Sequence, residues 1–261
     1  MVTVVSIGPS AGDVPGAASA SVRGVTLSLT NLTWRESGTG GAPAVPGITL
    51  NVLPGQSLAL HSEPAGDVTE LLDVIAALRR PLSGQVSVNA VDIGMLSGQT
   101  LDSYRLGLGL LSPRFPLVPS LSAVDNVLAG LSEDRPGAVT HEQAEQLLEL
   151  AGVTHLTGPA GDAAAEQQWR ILIARSLRTS PRLVLAEDPT PGLDSRGATA
   201  ILDLLTDLQA QSGFTLLLTV TRLVTASCCQ RLVRLIGGTV VEDVLISGND
   251  PLTRGRIDRI G

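Results

Sequence analysis

Apolar and polar residues alternate along several short segments in the first third of the chain. The alternation covers residues 25–32 and 48–52, and a period of two is typical of strands with one buried face. An apolar run, a loop and a helical pattern then follow one another at 56–61, 62–67 and 69–78. The chain therefore begins with antiparallel strands and continues into a strand, loop and helix unit.

The middle of the chain, residues 121–177, has a helical pattern instead. Thr140 and Gln143 have the spacing of a capping box at the start of a helix, and Gly152 is placed to end that helix. The remaining segments predict strands at 85–88, 106–111, 183–186, 215–220, 232–235 and 239–241, and a helix at 195–210. Strands that alternate with helices predict an α/β fold with a parallel core sheet, an N-terminal antiparallel β subdomain and a helical insertion.

Composition narrows the class of protein. A chain of 261 residues with 43% hydrophobic content can bury a substantial core, and its net charge of -7 argues against nucleic acid as a partner. All 18 basic residues are arginine, so the chain has no lysine to neutralise phosphate groups. Cys228 and Cys229 are neighbours, which disfavours a structural disulfide between them and favours a reducing compartment. No apolar run reaches the ~20 residues of a membrane-spanning helix.

Domain boundaries follow from the same patterns. Residues 1–24 are rich in Ala, Gly, Ser and Pro and lack the pattern of a secretory signal, so we expect a flexible N-terminal tail there. One compact domain is expected at 25–243, followed by a C-terminal tail at 244–261.

Two long segments resemble a known family. They read Gln-Gln-Trp-Arg-Ile-Leu-Ile-Ala-Arg-Ser-Leu at 167–177 and Pro-Arg-Leu-Val-Leu-Ala-Glu-Asp-Pro-Thr-Pro-Gly-Leu-Asp-Ser at 181–195. These segments and the order of elements are similar to ATP-binding-cassette (ABC) domains, above all the compact subunits of lipoprotein-release, macrolide-export and cell-division type systems. The resemblance implies a P-loop NTPase-like fold with a helical subdomain at about 114–177, and ATP and magnesium as ligands.

The phosphate loop of this family normally reads Gly-x-x-x-x-Gly-Lys-Ser/Thr, in which backbone N–H groups and the lysine hold the phosphates. The corresponding residues here are Ser62, Glu63, Pro64, Ala65, Gly66, Asp67, Val68 and Thr69. Asp67 and Val68 replace the second glycine and the lysine, and a carboxylate so close to a triphosphate costs about 1–4 kcal/mol. Thr69 keeps the hydroxyl that binds magnesium in the family, although threonine is also an ordinary residue at a helix start.

Two carboxylates, Glu187 and Asp188, follow the predicted strand at 183–186, where the family has Asp followed by Glu. The resemblance makes Glu187 a magnesium ligand and Asp188 the general base. The swapped order moves each carboxylate by about one methylene, ~1.5 Å, and errors of that size impair chemistry strongly. The alternative is that the pair only caps the strand and the following turn.

Three further positions that contact nucleotide in the family are replaced. Pro113, preceded by Ser112, stands for the glutamine that links the metal to the transport channel, and Thr221 stands for the switch histidine. The signature segment Leu-Ser-Gly-Gly-Gln corresponds to Ala-Ala-Ala-Glu-Gln at 163–167. The helix that would face a partner's ATP therefore loses a hydroxyl and gains a carboxylate.

Two other positions have both a functional and a structural interpretation. The aromatic residue that stacks on adenine in the family aligns with Glu36, and Trp34 is the alternative candidate. Asp194 lies in the loop that would face a partner cassette, and it is also placed to cap the helix that follows. The histidines are not spaced as metal ligands; they are His61, His141 and His155.

The replaced positions predict an ABC transporter subunit with weak or no ATP hydrolysis, which has a coupling or structural role. The resemblance implies an integral-membrane permease and a second ATP-binding subunit as partners, in a homodimer or heterodimer. It also implies a cytoplasmic position at the inner face of the membrane. One alternative is a slow but genuine ATPase that uses Thr69, Glu187 and Asp188 with an arginine such as Arg114 or Arg222. The other is a soluble regulatory module that uses the cassette fold for binding.

Overall fold

The computed structural model describes residues 23–34, 47–63, 66–130, 139–153 and 156–246. Most of both predicted tails lies outside these ranges. The same holds for Glu36, Pro64, Ala65 and His155.

Ten strands and six α-helices form in the described residues. They are β1 (Leu27–Thr33), β2 (Ile48–Val52), β3 (Ser57–Glu63), α1 (Gly66–Ile75), β4 (Ser83–Val88), β5 (Val91–Asp92), α2 (Gly98–Leu106), β6 (Leu108–Leu111), α3 (Ala123–Leu128), α4 (His141–Leu150), α5 (Ala165–Leu177), β7 (Leu183–Glu187), α6 (Ser195–Ser212), β8 (Thr215–Thr219), β9 (Arg231–Ile236) and β10 (Thr239–Leu245). Every predicted strand forms, whereas β5 and α2 were not predicted. Strand β10 ends at Leu245, just beyond the predicted domain boundary at 243.

The strands form two sheets. In the first, β2, β1, β4 and β5 lie side by side and all pairs are antiparallel. In the second, the order is β10-β9-β3-β8-β7-β6, and each pair is parallel except β10 with β9. The predicted antiparallel β subdomain and parallel core sheet are therefore confirmed.

The second sheet is covered on both faces. Leu58 and Leu60 of β3 belong to an apolar cluster with α1 and the first sheet, whereas Ala59 between them belongs to a cluster with α5 and α6. Because side chains alternate along a strand, a nearly continuous apolar strand such as β3 can serve both clusters.

The helical insertion contains α3, α4 and α5. Thr140 and Gln143 form the predicted capping box at the start of α4, with hydrogen bonds of 3.2 and 2.9 Å. Gly152 has a φ of 74° just after α4, a conformation that favours glycine and ends the helix as predicted.

Parallel strands bring the loops after β3, β6, β7 and β8 to one edge of the sheet, because their carboxyl ends all point that way. These loops carry the phosphate-loop positions, Ser112, Asp188 and Thr221. The candidate site is therefore assembled at this edge.

Candidate functional site

The phosphate-loop positions lie between the end of β3 and the first turn of α1. Ser62 is 3% exposed and Asp67 is 2% exposed, while Gly66 is the first residue of α1. Val68 is 3% exposed and belongs to the apolar cluster around α1. The residue predicted to stand in place of the family's lysine is thus an apolar part of the core.

Trp34 packs against this turn. Its side chain is 1% exposed, and its indole Nε1 donates a hydrogen bond of 2.9 Å to the carbonyl oxygen of Asp67. The interpretation of Trp34 as a residue that stacks on adenine is wrong, because a ring buried to this extent presents no open face. Trp34 instead supports the start of α1.

Thr69 and Glu187, the two predicted metal ligands, are brought together by the fold. The hydroxyl of Thr69 on α1 donates to Oε1 of Glu187 at the end of β7 over 2.9 Å. The hydroxyl of Ser112, which follows β6, donates to Oε2 of Glu187 over 2.5 Å. The cluster therefore consists of one carboxylate and two hydroxyl groups from three different elements.

Arg114 adds a positive charge to this cluster. Its Nε donates to Oε2 of Glu187 over 2.8 Å, and its two terminal nitrogens donate to the carboxylate of Asp73 on α1 over 3.0 and 2.9 Å. A guanidinium matches a carboxylate in this two-bond arrangement. The hydrogen bonds with Asp73 raise the pKa of Arg114 above its usual range despite partial burial.

The described residues do not fit a magnesium ion. Mg²⁺ requires near-octahedral oxygen ligands at about 2.0–2.1 Å. Here both oxygens of Glu187 accept hydrogen bonds, and the guanidinium of Arg114 lies where it would repel a second cation. No group of three or more His, Cys, Asp or Glu side chains in the described part of the chain is arranged to hold a metal ion.

Asp188, the predicted general base, is 8% exposed and accepts four hydrogen bonds. Its Oδ1 accepts from the backbone N–H and the hydroxyl of Thr190, over 3.2 and 2.5 Å. Its Oδ2 accepts from the same two groups of Thr221, again over 3.2 and 2.5 Å. A carboxylate offers about four lone-pair sites, so this one is fully used by the protein.

The signature positions form the start of α5. Ala164 precedes the helix without a side-chain cap, and Glu166 pairs with Arg170 over 2.9 Å one turn later. Asp194 caps α6, since its Oδ1 accepts a hydrogen bond of 2.7 Å from the N–H of Gly197. The helix-capping interpretation of Asp194 is confirmed.

Asp73 and Thr190 complete the site, and sequence reasoning missed both. Asp73 lies within the predicted helix after the phosphate loop, where an exposed-looking carboxylate carries no distinguishing signal. Thr190 lies two residues after Asp188, within the segment at 181–195 that resembles the family, and this closeness in sequence was the signal that could have identified it.

The fold and the converging loops define the class of nucleotide-binding cassettes with a parallel core sheet. A model of the family described as ABC transporter matches residues 45–191. This chain belongs to that family, as an ATP-binding cassette.

Curated relatives agree with this assignment. The phosphonates import ATP-binding protein PhnC of Rhizobium etli is 31% identical over 211 residues, which cover 77% of this chain and 75% of PhnC. The lipoprotein-releasing system ATP-binding protein LolD 1 of Rhodopseudomonas palustris is 31% identical over 198 residues, or 74% and 88% of the two chains.

A solved structure supports the fold. A dimeric post-hydrolysis state of the ATP-binding cassette MJ0796, bound to ADP and Pi, has a TM-score of 0.72 at 24% identity and covers 85% of this chain and 99% of that one. As for membrane contact, none of the helices in the described ranges has the length and apolar character to cross a bilayer.

Proposed function

We propose that this chain is an ABC transporter subunit that couples or supports transport while hydrolysing ATP weakly or not at all. One observation carries the proposal: the carboxylate at the general-base position, on Asp188, is bound by Thr190 and Thr221 through four hydrogen bonds. A general base must present a free lone pair to the water that it activates. Asp188 holds two loops together instead.

The phosphate loop supports the same proposal. Val68 is packed in the core, so no cation from this position meets the terminal phosphates. Asp67 lies in the first turn of α1, where its negative charge occupies the end of the helix dipole that attracts anions in this fold. Both features weaken the binding of a triphosphate.

Partners and location are part of the proposal. An integral-membrane permease and a second cassette, identical or different, would hold this chain at the cytoplasmic face of the membrane. PhnC is named for phosphonate import and LolD 1 for lipoprotein release, so these relatives support a transport role without indicating a common substrate. ATP is the ligand that the family implies, and in this proposal its binding is weak or lost and lacks the magnesium geometry of an active cassette.

Hydrolysis by the purified chain tests the proposal. Wild type, Asp188→Asn and a control, Asp203→Asn on the exposed face of α6, are compared for phosphate release with Mg-ATP. We expect the same low rate for all three proteins, because Asp188 performs no chemistry. Hydrolysis at an ordinary enzyme rate that Asp188→Asn abolishes and Asp203→Asn preserves would contradict the proposal.

Nucleotide titration by calorimetry adds a second measurement. Binding of Mg-ATP in the micromolar range, together with a slow rate that depends on Asp188, would favour the slow-ATPase alternative. Absence of heat at millimolar ATP supports a subunit that does not use nucleotide.

A further inference from the structure

Arg114 lies where three parts of the molecule meet. It belongs to the loop that leads from β6 into the helical insertion, it binds Asp73 on α1, and it binds Glu187 at the end of β7. The side chains of Asp73 and Glu187 are only 21% and 14% exposed. Two carboxylates in such a partly buried position need a nearby positive charge, since unpaired charges are costly away from water.

The same cluster contains the hydroxyl groups of Thr69 and Ser112, both bound to Glu187. Hydroxyl and carboxylate oxygens are ordinary ligands of hard divalent cations. The oxygen atoms are thus of the right chemical type, while the positive charge beside them comes from the protein. We propose that the guanidinium of Arg114 is a built-in replacement for the divalent cation, which holds α1, β7 and the loop after β6 together in the absence of any metal ion.

The loop around Arg114 is tied on its other side as well. Arg175 of α5 donates one hydrogen bond to the carbonyl oxygen of Phe115 and another, of 3.0 Å, to that of Pro116. The core thus holds the loop through Arg114, and the helical insertion holds it through Arg175. Loss of Arg114 should release only the core side of this loop.

Metal binding by the nucleotide-free protein tests the proposal. Mn²⁺ is used as the probe, and electron paramagnetic resonance measures the free ion during titration of wild type, Arg114→Ala and Arg114→Lys. We expect Arg114→Ala to bind one Mn²⁺ at least about tenfold more tightly than wild type, because a positive charge a few Å from the ion is removed. Arg114→Lys keeps that charge and should resemble wild type.

Thermal unfolding with chelator and with Mn²⁺ provides a second readout. Arg114→Ala should unfold at a lower temperature than wild type in chelator and recover part of the loss when Mn²⁺ is added. Arg79→Ala is the matched control, since Arg79 follows α1 and pairs with Glu70 of that helix over 3.3 Å at an exposed position. This control should show neither effect. Hydrogen exchange at residues 112–116 should rise in Arg114→Ala and not in Arg79→Ala.

Two outcomes would overturn the proposal. One is wild-type protein that binds one Mn²⁺ as tightly as Arg114→Ala, a measurement that does not require the variant to fold. The other is an Arg114→Ala protein that folds but neither loses stability nor gains Mn²⁺ affinity. The proposal extends the proposed function without depending on it, since these readouts use no nucleotide and hydrolysis is measured separately.

Discussion

Replacement of Thr221 by valine probes the hydrogen bonds that occupy Asp188. Valine has the shape of threonine but lacks the hydroxyl, which lies 2.5 Å from Oδ2 of Asp188. The backbone N–H of Thr221 still donates to the same oxygen over 3.2 Å. The variant therefore removes one of four hydrogen bonds and leaves the local fold in place.

The size of the effect follows from burial. A hydrogen bond to a charged group contributes about 1.5–3 kcal/mol when water cannot replace it. Asp188 is 8% exposed, but Thr221 itself is exposed, so water can reach Oδ2 after the substitution. We expect Thr221→Val to lower the free energy of unfolding by about 1 kcal/mol. Thr190→Val, at a half-buried position, should cost about 1.5–3 kcal/mol.

Urea denaturation at neutral pH measures both changes, and Thr221→Ser is the control that keeps the hydroxyl. Phosphate release is followed in parallel and should not increase in any of these variants, because the threonine that is left unchanged and both backbone N–H groups still hold the carboxylate. Equal stability of Thr221→Val and wild type would show that the hydroxyl does not bind Asp188 in solution. Faster hydrolysis in Thr221→Val would show that the bound carboxylate had been a masked base, and would refute the reasoning.

Three further predictions concern the loop, the sheet and a helix cap. Val68→Lys should not restore ATP binding, because the position is buried in the core. In urea denaturation it should lower the free energy of unfolding by about 2–4 kcal/mol, whereas the control Val68→Ala should lower it by about 1.6 kcal/mol. A stable Val68→Lys protein that binds ATP tightly would contradict this prediction. Burial lowers the pKa of His61 below its usual 6.5, so the unfolded chain binds the proton more readily and stability should fall as the pH drops below about 6.5. The free energy of unfolding, measured in urea, should depend less on pH in this range for His61→Gln than for wild type. His141→Gln, at an exposed position, is the control and should keep the wild-type dependence. An unchanged dependence in His61→Gln would show that another group causes the loss of stability. Asp194→Ala removes the cap of α6 and should lower the free energy of unfolding by about 1 kcal/mol, whereas Asp194→Ser keeps a capping oxygen and should lower it much less. Equal losses of the two variants in urea denaturation would exclude capping as the cause.

Local patterns were sufficient for most of the secondary structure. The strands of the parallel sheet are short apolar runs, and the capping box of Thr140 and Gln143 is a local signal that depends on residues three positions apart. Helix α2 was not predicted because its apolar positions are sparse. Among its residues only Tyr104 is buried, and the hydroxyl of Tyr104 donates a hydrogen bond of 2.6 Å to the carbonyl oxygen of Ile75. That contact joins elements 29 residues apart, so no local pattern reports it.

The candidate site, too, was predictable from the sequence only in part. Thr69 and Glu187 were expected to lie close together because both resemble magnesium-binding positions of the family, although 118 residues separate them. The burial of Trp34 was not predicted, because its place at the end of a strand gives no indication of how deeply a ring is buried. Arg114 was noted only as one of two arginines, with Arg222, that a slow ATPase could use. Its bonds to Asp73 and Glu187 depend on how the loop after β6 crosses the sheet edge.

The amino-acid sequence by itself indicated the family and most of the order of strands and helices, and it predicted that lysine, glutamine and histidine are replaced at positions that handle nucleotide in the family. These properties depend on residue type and on spacing along the chain. Only the tertiary structure decided what these residues do: Val68 joins the core, Asp188 is bound by two threonines, and Arg114 forms ion pairs with two carboxylates. The physical reason is that hydrogen bonding and charge neutralisation act over a few Å in space, between residues that the chain itself keeps far apart.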